Sequence, residues 1–185
     1  IIGLDNSSEM LEKARLALPS IEWIEANLEE WAPDKPFDLL YSNAVLQWVK
    51  GHDTVFPDLL KWVKSGGYIA IQMPRNFKAR SHTTVYETIR DGKWRDRLEP
   101  LIRDEPTRPP TFYYDLLKPL VQSLDFWETE YQQILEGVNP VPEYVKGSWL
   151  KPFLDALDEP EKSAFEAQYK KNVLAHYPPQ SDGKT

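Results

Sequence analysis

Ile1, Ile2 and Leu4 form a short apolar run that Asp5 ends, and this predicts a buried strand over Ile1–Asp5. Asn6 stands three residues before Glu9, a capping-box spacing, and Met10, Ala14, Ala17 and Leu18 then fall on one helical face. A helix over Ser8–Leu18 follows, and Pro19 stops it. Ile21–Ala26 reads as a second strand and Phe37–Ser42 as a third, introduced by the turn-like APDKP. Ala44–Val49 begins a short helix. Val55, Leu59, Trp62 and Val63 mark a longer one over Thr54–Lys64, which Ser65-Gly66-Gly67 ends. Tyr68–Met73 is the fourth strand.

Strands alternating with helices at this spacing mean an α/β fold with a parallel sheet covered on both faces. In such sheets ligands bind beyond the carboxyl ends of the strands. Here those ends are Asp5, Ala26-Asn27, Ser42-Asn43 and Met73-Pro74-Arg75. After Arg75 the rhythm changes. His82–Arg90 reads as helix, and residues 91–112, rich in charge and proline, as a loop or lid. Tyr114–Leu124 is helical and Trp127–Ile134 alternates like a strand. Pro142–Leu157 and Glu159–Tyr177 are consecutive helices, expected to cap the ligand cleft. The expected organisation is a single domain over 1–185, with a cofactor-binding sheet in 1–75 and substrate-side insertions with a helical cap in 76–185.

Composition narrows the chemistry. The chain has 185 residues, enough for a real core, and 41% of them are hydrophobic. The formal charge of −7 speaks against a nucleic-acid partner. No apolar run approaches a membrane span. Cysteine is absent, and the three histidines, His52, His82 and His176, have no metal-ligand spacing, so no metal is expected. The cytoplasm is the expected location.

Each candidate residue also has a plain structural reading. A carboxylate at a strand end can accept hydrogen bonds from both hydroxyls of a ribose, so Asp5 is a candidate cofactor ligand; it could equally begin the turn before a capped helix. Asn27, in EANLEEW, follows the next strand, where an adenine amino group is often read, and asparagine is also an ordinary turn-former. In YSNAVLQWV the strand-end backbone of Asn43 and Ala44 could face a charged amine. Gln47 and Trp48 could line the cleft, although tryptophan more often belongs to the core.

The stretches IIGLDNSSEMLEKARLALP, NAVLQWV and FPDLLKWVKSGGYIAIQMPRN, with the later TFYYDLL, WLKPFLDAL and AHYP, resemble the trans-aconitate methyltransferases. That family is a group of class I S-adenosylmethionine-dependent enzymes, and the resemblance covers nearly the whole chain. It implies a Rossmann-like methyltransferase sheet with a helical cap in the C-terminal half. It also implies a strand and a glycine-rich turn before Ile1 and a further strand after the last helix. This sequence contains neither, and Gly3 is isolated inside a strand, so the expectation is a sheet incomplete at both ends.

The resemblance further implies S-adenosyl-L-methionine as cofactor, held by Asp5, Asn6, Asn27, Leu28, Asn43 and Ala44. The substrate would be a small polycarboxylate, fixed by Gln47, Trp48, Arg75, Tyr113, Tyr114, Trp149 and Lys151. The reaction would give a monomethyl ester. A carboxylate is already the nucleophile at pH 7, so no general base is expected. Arg75 is the first choice for a carboxylate partner, because its planar fork binds one bidentately. The alternatives are a class I methyltransferase for another small acid, such as one carried on a thioester, and a non-catalytic fragment of such an enzyme. A nicotinamide dehydrogenase also fits an acid at a strand end, but no catalytic His or Lys motif accompanies it.

Overall fold

A computed structural model describes residues 1–185. The chain forms two compact units, one of Ile1–Met73 with Arg108–Asp125, the other of Pro74–Thr107 with Phe126–Thr185.

The first unit begins with β1 (Ile2–Asp5), α1 (Ser8–Ala17) and β2 (Glu22–Glu25). β1 and β2 pair in parallel, with Ile2 opposite Glu22 and Asp5 opposite Glu25. α1 packs on both strands and buries Leu11 completely. The cap is Ser7 rather than Asn6: its side-chain oxygen accepts from the Met10 N–H at 3.3 Å. The cap therefore falls one residue later than the spacing predicts, and with Met10 three residues on, a single cap bond replaces the expected capping box. Gly3 has a packing reason. A Cβ there would come within 2.2 Å of the ring of Trp23, its partner across the ladder.

The next strand, β3 (Phe37–Asn43), is followed by a 3₁₀ turn at Leu46–Trp48, then α2 (His52–Lys61) and β4 (Val63–Gln72). β3 and β4 are also parallel. The Ser65-Gly66-Gly67 run does not end a helix; it lies inside β4, where the register jumps from Phe37–Val63 to Leu39–Tyr68. This is a large bulge, and Gly67 lets the β3 backbone approach, because a Cβ there would lie 2.7 Å from the carbonyl oxygen of Asp38. Strand alternation sets the packing. Leu40, Ile69 and Ile71 turn toward a core of Leu46, Phe56, Leu59, Tyr113 and Leu117, whereas Leu39, Tyr41 and Tyr68 are exposed. The four strands pair two by two and do not form one ladder.

The second unit is helical. It contains α3 (Arg80–Asp91) and α4 (Arg95–Leu98), and the chain then crosses to the first unit for α5 (Pro110–Leu117). It returns for α6 (Val141–Val145), a π turn at Lys146–Leu150, α7 (Lys151–Asp155) and α8 (Glu161–Leu174). Val85, Ile89, Leu98, Leu150, Phe165, Tyr169 and Val173 form a fully buried core. The Tyr169 hydroxyl donates to the Ser81 carbonyl oxygen at 2.8 Å, and burial raises its pKa. The strand expected over Trp127–Ile134 does not form; the segment has no regular structure and Trp127, Tyr131 and Ile134 are exposed. Beside it, Leu135 and Thr185 exchange a pair of backbone hydrogen bonds of 2.7 and 2.9 Å.

Candidate active site

The carboxyl ends of all four strands lie in the first unit. The Asp5 carbonyl oxygen accepts from the Ala26 N–H at 3.0 Å, which brings the ends of β1 and β2 together. One carboxylate oxygen of Asp5 accepts from the Ser7 N–H at 2.8 Å, and the other has no hydrogen-bond partner. Asp5 thus starts the turn into α1 and still offers a free acceptor. Asn6 is exposed. Asn27 is a turn residue whose side chain accepts from the Glu29 N–H at 3.2 Å. Leu28 packs against the apolar core around Leu46.

At the end of β3, Asn43 stands opposite Gln72, and the Ala44 N–H donates to the Gln72 carbonyl oxygen at 3.0 Å. Ala44 has φ 53°, a left-handed conformation that costs a non-glycine residue about 1–2 kcal/mol. Its carbonyl oxygen receives the side-chain amide of Gln47 at 2.7 Å. Gln47 is 5% exposed, and its own Oε1 is buried with no partner. An orphan acceptor of this kind calls for an explanation, and a donor supplied by a ligand is one. Trp48 is not core: it is 56% exposed at the end of the 3₁₀ turn.

On α5, Tyr113 is buried and Tyr114 exposed. The Tyr113 oxygen accepts from the Arg108 N–H at 3.0 Å and lies 2.8 Å from Nδ1 of His52, so both of its hydrogen-bonding directions are taken inside the protein. In the sequence His52 stands out only as a histidine without metal-ligand spacing. Its partners are 6 and 61 residues away, and no local spacing signals them.

The remaining candidates belong to the second unit and have separate partners there. Arg75 pairs with Glu128. Lys151 pairs with Asp155 at 2.6 Å. Trp149 donates from its indole N–H to the His82 carbonyl oxygen at 3.4 Å and packs on the rings of His82 and Phe77, with centroids 4.8 and 5.3 Å apart. Burial in this aromatic group pushes the His82 imidazole down to about 4. No three His, Asp or Glu side chains converge as a metal site. No helix is long and apolar enough to cross a membrane.

The methyltransferase-domain family pattern matches residues 1–71, which include β1, β2, β3 and all of β4 but its last residue. Over the whole chain, the protein is 44% identical to the trans-aconitate 2-methyltransferase of Azoarcus sp. (strain BH72), covering 72% of that relative. The chain belongs to the trans-aconitate 2-methyltransferase family. Members from Rhodopseudomonas palustris (strain BisB5) and Agrobacterium fabrum (strain C58 / ATCC 33970) are 41% and 38% identical, again over all of this chain and 72% of theirs. Membership makes the protein a methyltransferase with a Rossmann-like class I sheet, and the two parallel strand pairs with α1 and α2 are parts of that sheet. Its strand-end groups fit an adenosine-containing methyl donor. Asp5 has a free carboxylate oxygen suited to a ribose hydroxyl.

Proposed function

We propose that the protein is a cytoplasmic S-adenosylmethionine-dependent O-methyltransferase that makes a monomethyl ester of a small polycarboxylate such as trans-aconitate. The observation that carries this reading is the 44% identity, along the full chain, to a trans-aconitate 2-methyltransferase.

When bound, S-adenosylmethionine supplies an electrophilic methyl group on a sulfonium. Asp5, Asn6, Asn27 and Leu28 would hold the adenosine end, and the backbone of Asn43 and Ala44 the amino-acid end. The acid arrives ionised, since a carboxyl pKa near ~4 leaves it deprotonated at pH 7. No residue of the chain needs to take its proton. The work of the protein is alignment and exclusion of water. Holding two reactants in line contributes about 7–11 kcal/mol in favourable cases.

Gln47, Trp48 and Tyr114 are the first unit's candidates for contacting the acid. Trp48 suits this because its ring is already presented to solvent at the end of a turn that is tied down internally. Tyr113 supports that turn, since its hydroxyl is fully engaged. In the second unit Arg75, Trp149 and Lys151 are the candidates. Arg75 already pairs with a carboxylate, that of Glu128, which is the group it would exchange for substrate.

The test is incubation with S-adenosylmethionine carrying a labelled methyl group and a panel of acids: trans-aconitate, other di- and tricarboxylates, monocarboxylates and acyl thioesters. Label that base releases as methanol, formed only with polycarboxylates, supports the proposal. Label in base-stable form, or ester formed on a thioester-borne acid in preference to polycarboxylates, overturns it.

A further inference from the structure

His52 begins α2 and is 6% exposed. Both ring nitrogens are used. Nε2 lies 2.8 Å from the Leu46 carbonyl oxygen, and Nδ1 lies 2.8 Å from the Tyr113 hydroxyl. A carbonyl oxygen can only accept, so Nε2 carries the hydrogen and the ring accepts at Nδ1. The Tyr113 O–H therefore donates to His52, and the Tyr113 oxygen takes the Arg108 N–H at 3.0 Å. One directed chain of hydrogen bonds runs from the Arg108 backbone through Tyr113 and His52 to Leu46. Packing reinforces it: the His52, Phe56 and Tyr113 rings are mutual neighbours, with centroids between 4.9 and 5.8 Å apart.

The end of that chain matters. Leu46 opens the 3₁₀ turn that carries Gln47 and Trp48. The turn is tied at its start by the amide of Gln47 on the strained Ala44. It is tied to the rest of the unit by His52, through a residue of α5, far along the sequence. Buried networks in which every member is satisfied specify one arrangement of the groups they join.

We propose that His52 is a positioning residue for methyl transfer: with Tyr113 it fixes the Leu46–Trp48 turn, and so holds the exposed Trp48 ring in the orientation that receives the acid. This rests on the proposed substrate role of Trp48. His52 touches neither acid nor methyl donor and transfers no proton.

Two readouts separate this inference from the functional reading beneath it. The first follows the ring itself. The protein is labelled with 5-fluorotryptophan and the Trp48 resonance assigned by its loss in Trp48→Phe. In His52→Leu this resonance is expected to shift and broaden, and in His52→Gln, whose amide can still donate to Leu46, to return toward its original position. The second is kinetic. His52→Leu is expected to lower kcat/KM for the acid roughly 10- to 100-fold, the scale of a misplaced aligning group, with the cofactor Kd changed less than about twofold. Tyr113→Phe is expected to act in the same direction, and the double variant to be no worse than His52→Leu alone. An unmoved Trp48 resonance, or a lowered Tm with unchanged kinetics, overturns the positioning role. A moved resonance in a protein that methylates no acid leaves the positioning of the turn intact and sinks the functional reading instead.

Discussion

The side-chain amide of Gln47 donates to the carbonyl oxygen of Ala44 at 2.7 Å, while its own Oε1 stays buried without a partner. The two halves of one amide therefore have opposite energetic signs. A satisfied hydrogen bond contributes about 0.5–1.5 kcal/mol, and an unsatisfied buried acceptor costs about 1–3 kcal/mol. Gln47→Leu removes both. It should leave Tm unchanged or slightly raised and still lower the rate of methyl transfer. A lowered Tm with normal kinetics would make Gln47 a structural residue only.

Arg75 pairs with Glu128 on the surface of the second unit, with the two side chains about half exposed or more. An exposed pair of this kind contributes at most about 1 kcal/mol, so it can be exchanged for a substrate carboxylate. Arg75→Ala is expected to raise the KM for the acid far more than the KM for S-adenosylmethionine. Glu128→Gln, which frees the guanidinium, is expected to lower or leave unchanged the KM for the acid. Equal effects of Arg75→Ala on both substrates would remove Arg75 from the acid-binding set.

His82 gives the fold an acid limit. Burial depresses its imidazole from 6.5 to about 4, so between these values the unfolded chain binds a proton that the native state does not. Its contribution is complete above about pH 6.5 and is lost as pH falls toward 4; a shift of this size is worth up to about 3 kcal/mol. Urea melts at pH 7 and pH 5 measure it. The wild type should lose clearly more stability between the two than His82→Phe, and equal losses would contradict the assignment.

Gly67 permits the close approach of β3 and β4 at the bulge. In Gly67→Ala the new methyl meets the Asp38 and Lys64 carbonyl oxygens and the Val63 side chain, all within 3.0 Å. Backbone on two sides cannot yield easily, so the variant should lose about 1–3 kcal/mol, the usual range for overpacking. A denaturant melt with an unshifted midpoint would show that the bulge is softer than its geometry implies.

Much of this architecture was legible in the residues themselves, and the exceptions have physical causes. The apolar runs ending at Asp5 and Asn43 locate β1 and β3, because alternation and a polar terminator are local signals. The cap at Ser7 was missed by one residue, since Asn6, Ser7 and Ser8 are all competent caps and geometry selects among them. The glycines of Ser65–Gly67 look like a helix end but serve a bulge, which depends on how near β3 comes. Trp127–Ile134 alternates like a strand, but alternation yields a strand only where a partner pairs with it. At the candidate site, Asp5 and Gln47 were visible because strand ends are predictable places for ligands. His52 was not, because its meaning lies wholly in contacts with Leu46 and Tyr113 that the fold creates.

The measurement that tests the central claim most directly is a calorimetric titration with S-adenosylmethionine of the wild type and of Asp5→Asn. The asparagine keeps the acceptor that holds the Ser7 N–H and loses the charge on the free oxygen. The account predicts micromolar binding to the wild type and a roughly 10- to 100-fold weaker Kd for Asp5→Asn, as befits one hydrogen bond to a charged group, with Tm nearly unchanged. No binding by a cooperatively folded wild type, or equal affinity in the two proteins, would contradict it.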